Sequence, residues 1–427
     1  MYLTLYMVIL IATIILTKIK HGTIIKSNIL FTGMWCICAG LSSLGLYDLY
    51  KPSIFVHLYS ITTIVFFNIV FFVYNKKSSI SINFSEINGF ARLKTIYILN
   101  LICWIYLSKF LPRAIDIIAS GGLKALRPYA FDSSLGMGTS LELTISQWII
   151  GPVLQVTILI AMVYMVIERK SPVLKLIALI NVILHTVIFG GRYIIVKMMM
   201  YYIFSFLIVK ANILKDLKKK KINVLFIGVV IIGIIVITSQ REWGNTTLIE
   251  STIIYYVGSF SFLNFIIENP YMFNLTSTPL LGMSMFGFVI NIIVLIFSLL
   301  FRLPYKGSDY LITQMTATPR PISPTQYYNG MPTMLYPFLR DLGYVGIIIG
   351  TVFLAWFISY AEKKFKKDRQ LIYLCLYVYL CFVLFDSVMS YQLLFTAEGV
   401  SLSLLFLFMN FKDYKTIDKR RKIIIKR

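Results

Sequence analysis

The sequence predicts an all-α polytopic membrane protein of about eleven to thirteen transmembrane helices, and three observations predict it. Hydrophobic residues make up 58% of the chain against 14% charged, with a mean hydropathy of +0.79, so there is too little polar material to clothe a soluble surface. Apolar runs long enough to cross a hydrocarbon core recur from end to end. Lysine and arginine gather in the short segments between those runs, as positive-inside topology requires.

The first run lies in MYLTLYMVILIATIILTKIK, where the basic residues follow the apolar stretch and no small-residue cleavage site is present. It reads as a retained helix near 2–17 and not as a signal peptide. Further runs lie near 28–47, 53–73, 95–112, 145–167, 173–190, 193–209, 222–239, 253–268, 283–301, 343–360, 371–389 and 391–411. In lipid their backbone groups must be satisfied internally, which makes each a helix. The run at 253–268, with YYVGSFSFLNFIIE inside it, is short and polar enough to be re-entrant or interfacial instead. The whole of 1–427 reads as a single membrane domain without internal repeats.

Orientation follows from KDLKKKK (215–221), EKKFKKDR (362–369) and the basic tail 412–427, all expected in the cytoplasm. Alternation then puts the N-terminus outside and cytoplasmic turns after Thr17, Val73, Ile167, Val209, Glu268, Tyr360 and Phe411. Two extracytoplasmic loops of roughly 30–40 residues are expected, 113–143 and 302–342, and segments of that length in a compact protein are usually functional. Both mix Pro, Gly, Arg and aromatic residues, a composition suited to ordered loops over a polar ligand.

The net charge of +23 would point to nucleic acid in a soluble chain, but here topology accounts for it and no aromatic stacking platform accompanies the lysines. Nucleic acid is therefore not expected as a partner, whereas membrane lipids are. The five cysteines, Cys36, Cys38, Cys103, Cys375 and Cys381, all fall inside apolar runs and read as small core residues.

Sorting the basic residues by expected side separates the two types: 23 of 28 lysines face the cytoplasm, while 7 of 13 arginines lie outside. The outer set is Arg113, Arg127, Arg192, Arg241, Arg302, Arg320 and Arg340. A guanidinium never loses its charge and can hold two phosphate oxygens in a planar fork, so the set suits a pyrophosphate. Singly, each arginine is as well explained by a lipid headgroup or a carboxylate such as Asp116, Glu242 or Asp341. Arg192, after the turn-forming Gly190 and Gly191, is the sharpest member, with Arg241, Arg340, Arg127 and Arg320 as further pyrophosphate candidates. Lys197 lies five residues along the next helix, roughly 140° around it, and is a substrate-binding candidate as an intramembrane charge.

A base would come from His185, Asp341, Asp386 or Glu398. A lone histidine such as His185 is more often a hydrogen-bonded core residue, Asp341 at the mouth of a helix reads also as a capping charge, and Asp386 and Glu398 read also as partners for Lys or Arg. Asp341 and His185 are the catalytic candidates, and Glu398 and Asn329 join Lys197 as substrate-binding ones. HExxH, CxxC, Walker and GxSxG patterns in a suitable context are absent, and no metal or other cofactor is expected.

Three segments resemble the Wzy-type oligosaccharide repeat-unit polymerases of O-antigen and capsular polysaccharide synthesis. They are GGRYIIVK at 190–197, YYVGSFSFLNF at 255–265 and YYNGMPTMLYPFLRDLGYVGIIIG at 327–350. In the last, Asn329, Thr333, Pro337, Asp341, Gly343 and Gly346 look like the family's outer-loop-to-helix signature. The resemblance implies a GT-C-like, metal-independent glycosyltransferase in the bacterial inner (cytoplasmic) membrane. Its substrates would be undecaprenyl-pyrophosphate-linked oligosaccharides, joined on the periplasmic or outer face with inversion at the anomeric carbon. A chain-length regulator and a flippase are the protein partners it implies. An O-antigen ligase or a lipid-linked oligosaccharide flippase is the rival reading.

Overall fold

The computed structural model describes residues 1–75, 87–131, 137–191, 193–209, 248–316, 318–328 and 330–410. Among them helix dominates, and strand is confined to two short antiparallel pairs, Phe90–Ala91 with Met409–Asn410 and Arg320–Pro321 with Tyr327–Tyr328. Five described helices are long and apolar enough to cross a membrane: Tyr2–His21, Ile54–Tyr74, Ser140–Val166, Pro172–Phe189 and Leu335–Asp368. A sixth follows if Leu93–Ser108 and Leu111–Gly122, bent by 55° at their junction, form one broken span. Shorter apolar helices cover Ser27–Ser42, Tyr193–Val209, Gly287–Phe301, Leu371–Asp386 and Thr396–Phe408. The chain is thus an all-α multi-pass membrane protein. The expected span 222–239 and the basic tail 412–427 lie outside the described residues.

The chain divides into two compact units. One holds Met1–Ile80, Ile249–Lys363 and Val383–Gly399. Its first helices are tied by buried polar side chains: the Asn28 amide donates to Thr17 Oγ1 at 2.8 Å and to Asn68 Oδ1 at 3.1 Å, and Asn68 donates to Thr32 Oγ1 at 2.8 Å. Such bonds specify helix pairing where lipid removes the usual hydrophobic drive. A buried ion pair, Lys26 Nζ to Glu362 Oε1 at 2.6 Å, joins the start of Ser27–Ser42 to the far part of Leu335–Asp368.

The polarity of 253–268 is explained by its use. It belongs to the Leu248–Glu268 helix, whose Ser259 and Ser261 hydroxyls donate to the carbonyls of Val388 and Tyr50 and whose Asn264 Oδ1 accepts the Ser53 N–H. These side chains satisfy backbone that no regular element pairs. Tyr50 and Ser53, which follow the Ser27–Ser42 helix, are thus bonded to the C-terminal half of Leu248–Glu268, and its serines and Asn264 help to fix where this helix lies.

The expected loop 302–342 is structured. It contains the Ser308–Thr316 helix and the Arg320–Tyr328 hairpin, then dips inward: the Met334 N–H donates to the Ser387 carbonyl, and the Ser387 hydroxyl accepts from Trp35 Nε1 within the Ser27–Ser42 helix. The chain climbs from Leu335, leaves helical geometry at Leu342 and Gly343 (φ 59°, ψ −142°), and reverses into the long helix. A φ of that sign favours glycine. The two arms touch closely, because a Cβ on Gly346 would lie 2.0 Å from the Phe338 carbonyl oxygen.

The second unit holds Ser81–Leu248, Lys364–Phe382 and Val400–Arg427. Asn100, Thr157, Asn181 and Trp104 form its buried polar core, with Asn181 donating to Asn100 Oδ1 and Trp104 Nε1 to Asn181 Oδ1, each at 2.7 Å. The expected irregular loop 113–143 is largely helical. Leu111–Phe131 is broken only at Gly122, and a capping box between Thr139 and Glu142 starts Ser140–Ile145. Ala114, Ile117 and Leu126 are buried while Arg113 and Asp116 are exposed, so a one-sided apolar stripe, too narrow to read as a span, forms the helix. A π-turn at Ser146–Ile150 precedes Pro152, which lacks the N–H an α-turn would use.

Candidate functional site

The sequence candidates are shared between the two units. Arg320, Arg340, Asp341 and Glu398 belong to the first unit; Arg127, His185 and Lys197 belong to the second. Arg192, Arg241 and Asn329 lie outside the described residues.

In the second unit Gly190 caps Pro172–Phe189 in the left-handed region (φ 59°), as the expected turn requires. Lys197, on Tyr193–Val209, is 1% exposed and donates from Nζ to Gln155 Oε1 at 2.9 Å. Its ammonium lies 5.0 Å from the Tyr193 ring centroid and 5.4 Å from that of Phe382, so aromatic faces and an amide carbonyl hold the charge. The His185 ring lies 5.0 Å from that of Phe189, tilted by 52°, and its buried Nδ1 has no hydrogen-bond partner. Arg127 sits on the Leu111–Phe131 helix.

The first unit gathers more. The break at Leu342 and Gly343 deprives the carbonyls of Arg340 and Asp341 of helical donors, and they accept instead from the N–H groups of Leu280 (3.0 Å) and Leu281 (3.2 Å). The buried Asp341 carboxylate accepts the Ser284 N–H at 3.0 Å and the Met285 N–H at 2.6 Å, one on each oxygen. Arg340 is also buried; its Nη1 donates to the Asn274 carbonyl and, at 3.1 Å, to Ser277 Oγ. Asp341, expected as a general base, thus has each oxygen bonded to a backbone amide just ahead of the Gly287–Phe301 helix.

Arg320 approaches the same place from the hairpin. Its guanidinium lies 5.7 Å from the Phe273 ring centroid, and its Nε is buried without a hydrogen-bond partner. Tyr336 donates to the Phe273 carbonyl at 3.1 Å, and Phe262, Phe265 and Tyr336 surround that ring. Two arginines, far apart in sequence and on different elements, thus reach consecutive residues, Phe273 and Asn274. Around them Tyr271 and Tyr327 are exposed, and the Tyr50 N–H donates to the Ile322 carbonyl of the hairpin at 2.8 Å.

Sequence reasoning missed Phe273, Asn274 and Tyr336, which carry no chemical signature of their own. It also missed Asp309, a carboxylate that accepts four hydrogen bonds. Asp309 Oδ2 accepts the Thr396 hydroxyl at 2.6 Å and its N–H at 3.2 Å, while Oδ1 accepts the Tyr305 hydroxyl at 2.6 Å and the Tyr310 N–H at 2.8 Å. The Ser308–Asp309 pair after Gly307 is a helix-start signal that could have flagged it. Burial, and then the Asp309 charge, push the Tyr305 phenol well above its ordinary value. Glu398 lies buried in the first turn of Thr396–Phe408.

Comparison of the chain with models of known families, with curated proteins and with solved structures gave no match.

Proposed function

We propose that this protein is a membrane glycosyltransferase that lengthens a surface polysaccharide by joining lipid-diphosphate-linked oligosaccharide units. The observation that carries the reading is the approach of Arg320 and Arg340 to Phe273 and Asn274 at one end of a membrane unit. In such a transfer the bond between the anomeric carbon of the growing glycan and its diphosphate carrier breaks. A hydroxyl oxygen of the incoming unit forms the new bond, its proton passes to the departing diphosphate or to water, and the lipid diphosphate leaves. Negative charge develops on the departing diphosphate, which is where a guanidinium lowers the barrier. Arg320 is the group we assign to that contact, with Arg340 behind it. Exposed Tyr271 and Tyr327 beside them offer ring faces to sugars.

The reading draws further support from the outward bias of arginine over lysine that the alternating topology predicts, and from the Wzy-like segments. It carries with it a GT-C-like class, metal-independent chemistry, undecaprenyl diphosphate as the carrier, a bacterial inner membrane and, as associated proteins, a chain-length regulator and a flippase. The test uses proteoliposomes holding the full chain and a polyprenyl-diphosphate-linked oligosaccharide. Longer glycans and released lipid diphosphate are expected, with Arg320→Ala and Arg320→Lys both slowing the reaction by on the order of a hundredfold. Activity unchanged in both variants overturns the role of Arg320. Movement of the intact donor across the bilayer without chain growth indicates a flippase, and transfer only to a lipid A core acceptor indicates a ligase.

A further inference from the structure

Between Asn274 and Met285 the chain is a strap with little regular structure, yet it is held at six points by two consecutive residues. Arg340 contributes Nη1 to the Asn274 carbonyl and Ser277 Oγ, and its own carbonyl to the Leu280 N–H. Asp341 contributes its carbonyl to the Leu281 N–H and its carboxylate to the N–H groups of Ser284 and Met285. Cation and anion are thus used in sequence along one strand of chain, and the helix break at Gly343 is what frees the two carbonyls to join in. The strap begins beside Phe273, the ring under the Arg320 guanidinium.

We propose that Arg340 and Asp341 form a positioning latch: they fix the 274–285 strap and, through Phe273, set the place of Arg320 in the glycosyl-transfer site. The role in transfer rests on the function proposed above, whereas the latch itself does not. Neither residue needs to touch substrate, and Asp341 exchanges no proton.

The experiment places a reporter in the strap. Ser284 is fully buried, and the five native cysteines are buried as well, so Ser284→Cys is the one new thiol and is expected to react slowly with a water-soluble maleimide. Asp341→Asn keeps the side chain's size but replaces one accepting oxygen with an amide that donates. In that background the labelling rate of the cysteine at 284 is expected to rise by on the order of tenfold, with the protein still eluting as a folded species. Chain growth is expected to fall, chiefly through a lowered kcat, as the loss of a transition-state contact requires, and the acid limb of the pH–rate profile is expected to remain.

Unchanged labelling overturns the latch whatever the activity. Faster labelling with unaltered chain growth overturns its positioning role. Loss of the acid limb in Asp341→Asn makes Asp341 the base and likewise overturns the proposal. If the unmutated chain elongates nothing, the glycosyltransferase reading fails, and the labelling result still decides whether the latch exists.

Discussion

Gly346→Ala probes the fold-back that presents Arg340 and Asp341. Gly346 has ordinary helical geometry, so the argument is one of space: an added Cβ would meet the Phe338 carbonyl oxygen at 2.0 Å, where ordinary contact begins at 3.4 Å. The obstacle is backbone, not the tip of a flexible side chain, and the two arms of the re-entrant turn must part by more than an ångström. Overpacking of this kind costs about 1–3 kcal/mol. Replacing glycine by alanine inside a helix returns about 1 kcal/mol, which would blur the result if the variant were read alone. Gly33→Ala supplies the reference, since Gly33 lies in Ser27–Ser42 with nothing within 4 Å of its would-be Cβ. The propensity gain is common to both, so the difference in unfolding free energy between the two variants isolates the clash, at about 1–3 kcal/mol. Denaturant titration of the detergent-solubilised protein, followed by tryptophan fluorescence, measures it. Equal stability of the two variants would refute the close packing of Phe338 on Gly346.

Lys26→Met removes the charge-assisted bond of the Lys26–Glu362 pair, whose side chains are 4% and 2% exposed, and is expected to cost about 1.5–3 kcal/mol. The double variant Lys26→Met, Glu362→Leu should recover most of that in the same titration. Asp309→Asn puts an amide nitrogen where a carboxylate oxygen accepts two donors and is expected to cost about 1–3 kcal/mol. The Tyr305 phenol, raised by burial and by Asp309, favours the folded state while neutral: the benefit is complete below the unfolded tyrosine value of about 10 and is lost as pH rises toward the folded one. Tyr305→Phe should therefore show a shallower loss of thermal stability above about pH 10 than the unmutated chain, and parallel curves would remove Tyr305 from the account.

What composition and hydropathy determined by themselves was the solvent and the class of fold. Long apolar runs in lipid have one backbone solution, so Tyr193–Val209 is found where its run predicts, and all five cysteines lie buried in helices as their placement implies. The turn at Gly190 was equally legible, because a left-handed cap depends on one residue and its neighbours. Tertiary structure alone decided the rest. An amphipathic helix at 111–131 hides in a sequence test tuned to wholly apolar runs, and the serines that make 253–268 look weak are the bonds that hold it. Asp341 reads as a candidate from the sequence because its chemistry is visible in one dimension, whereas its bonds to the backbone amides of Ser284 and Met285 are not. Phe273 and Asn274 gain meaning only when Arg320 and Arg340 are brought to them from more than forty residues away, and no local propensity records a contact over that distance. Periodicity and charge report what each segment prefers; which donor meets which acceptor is settled by the packing of segments on one another.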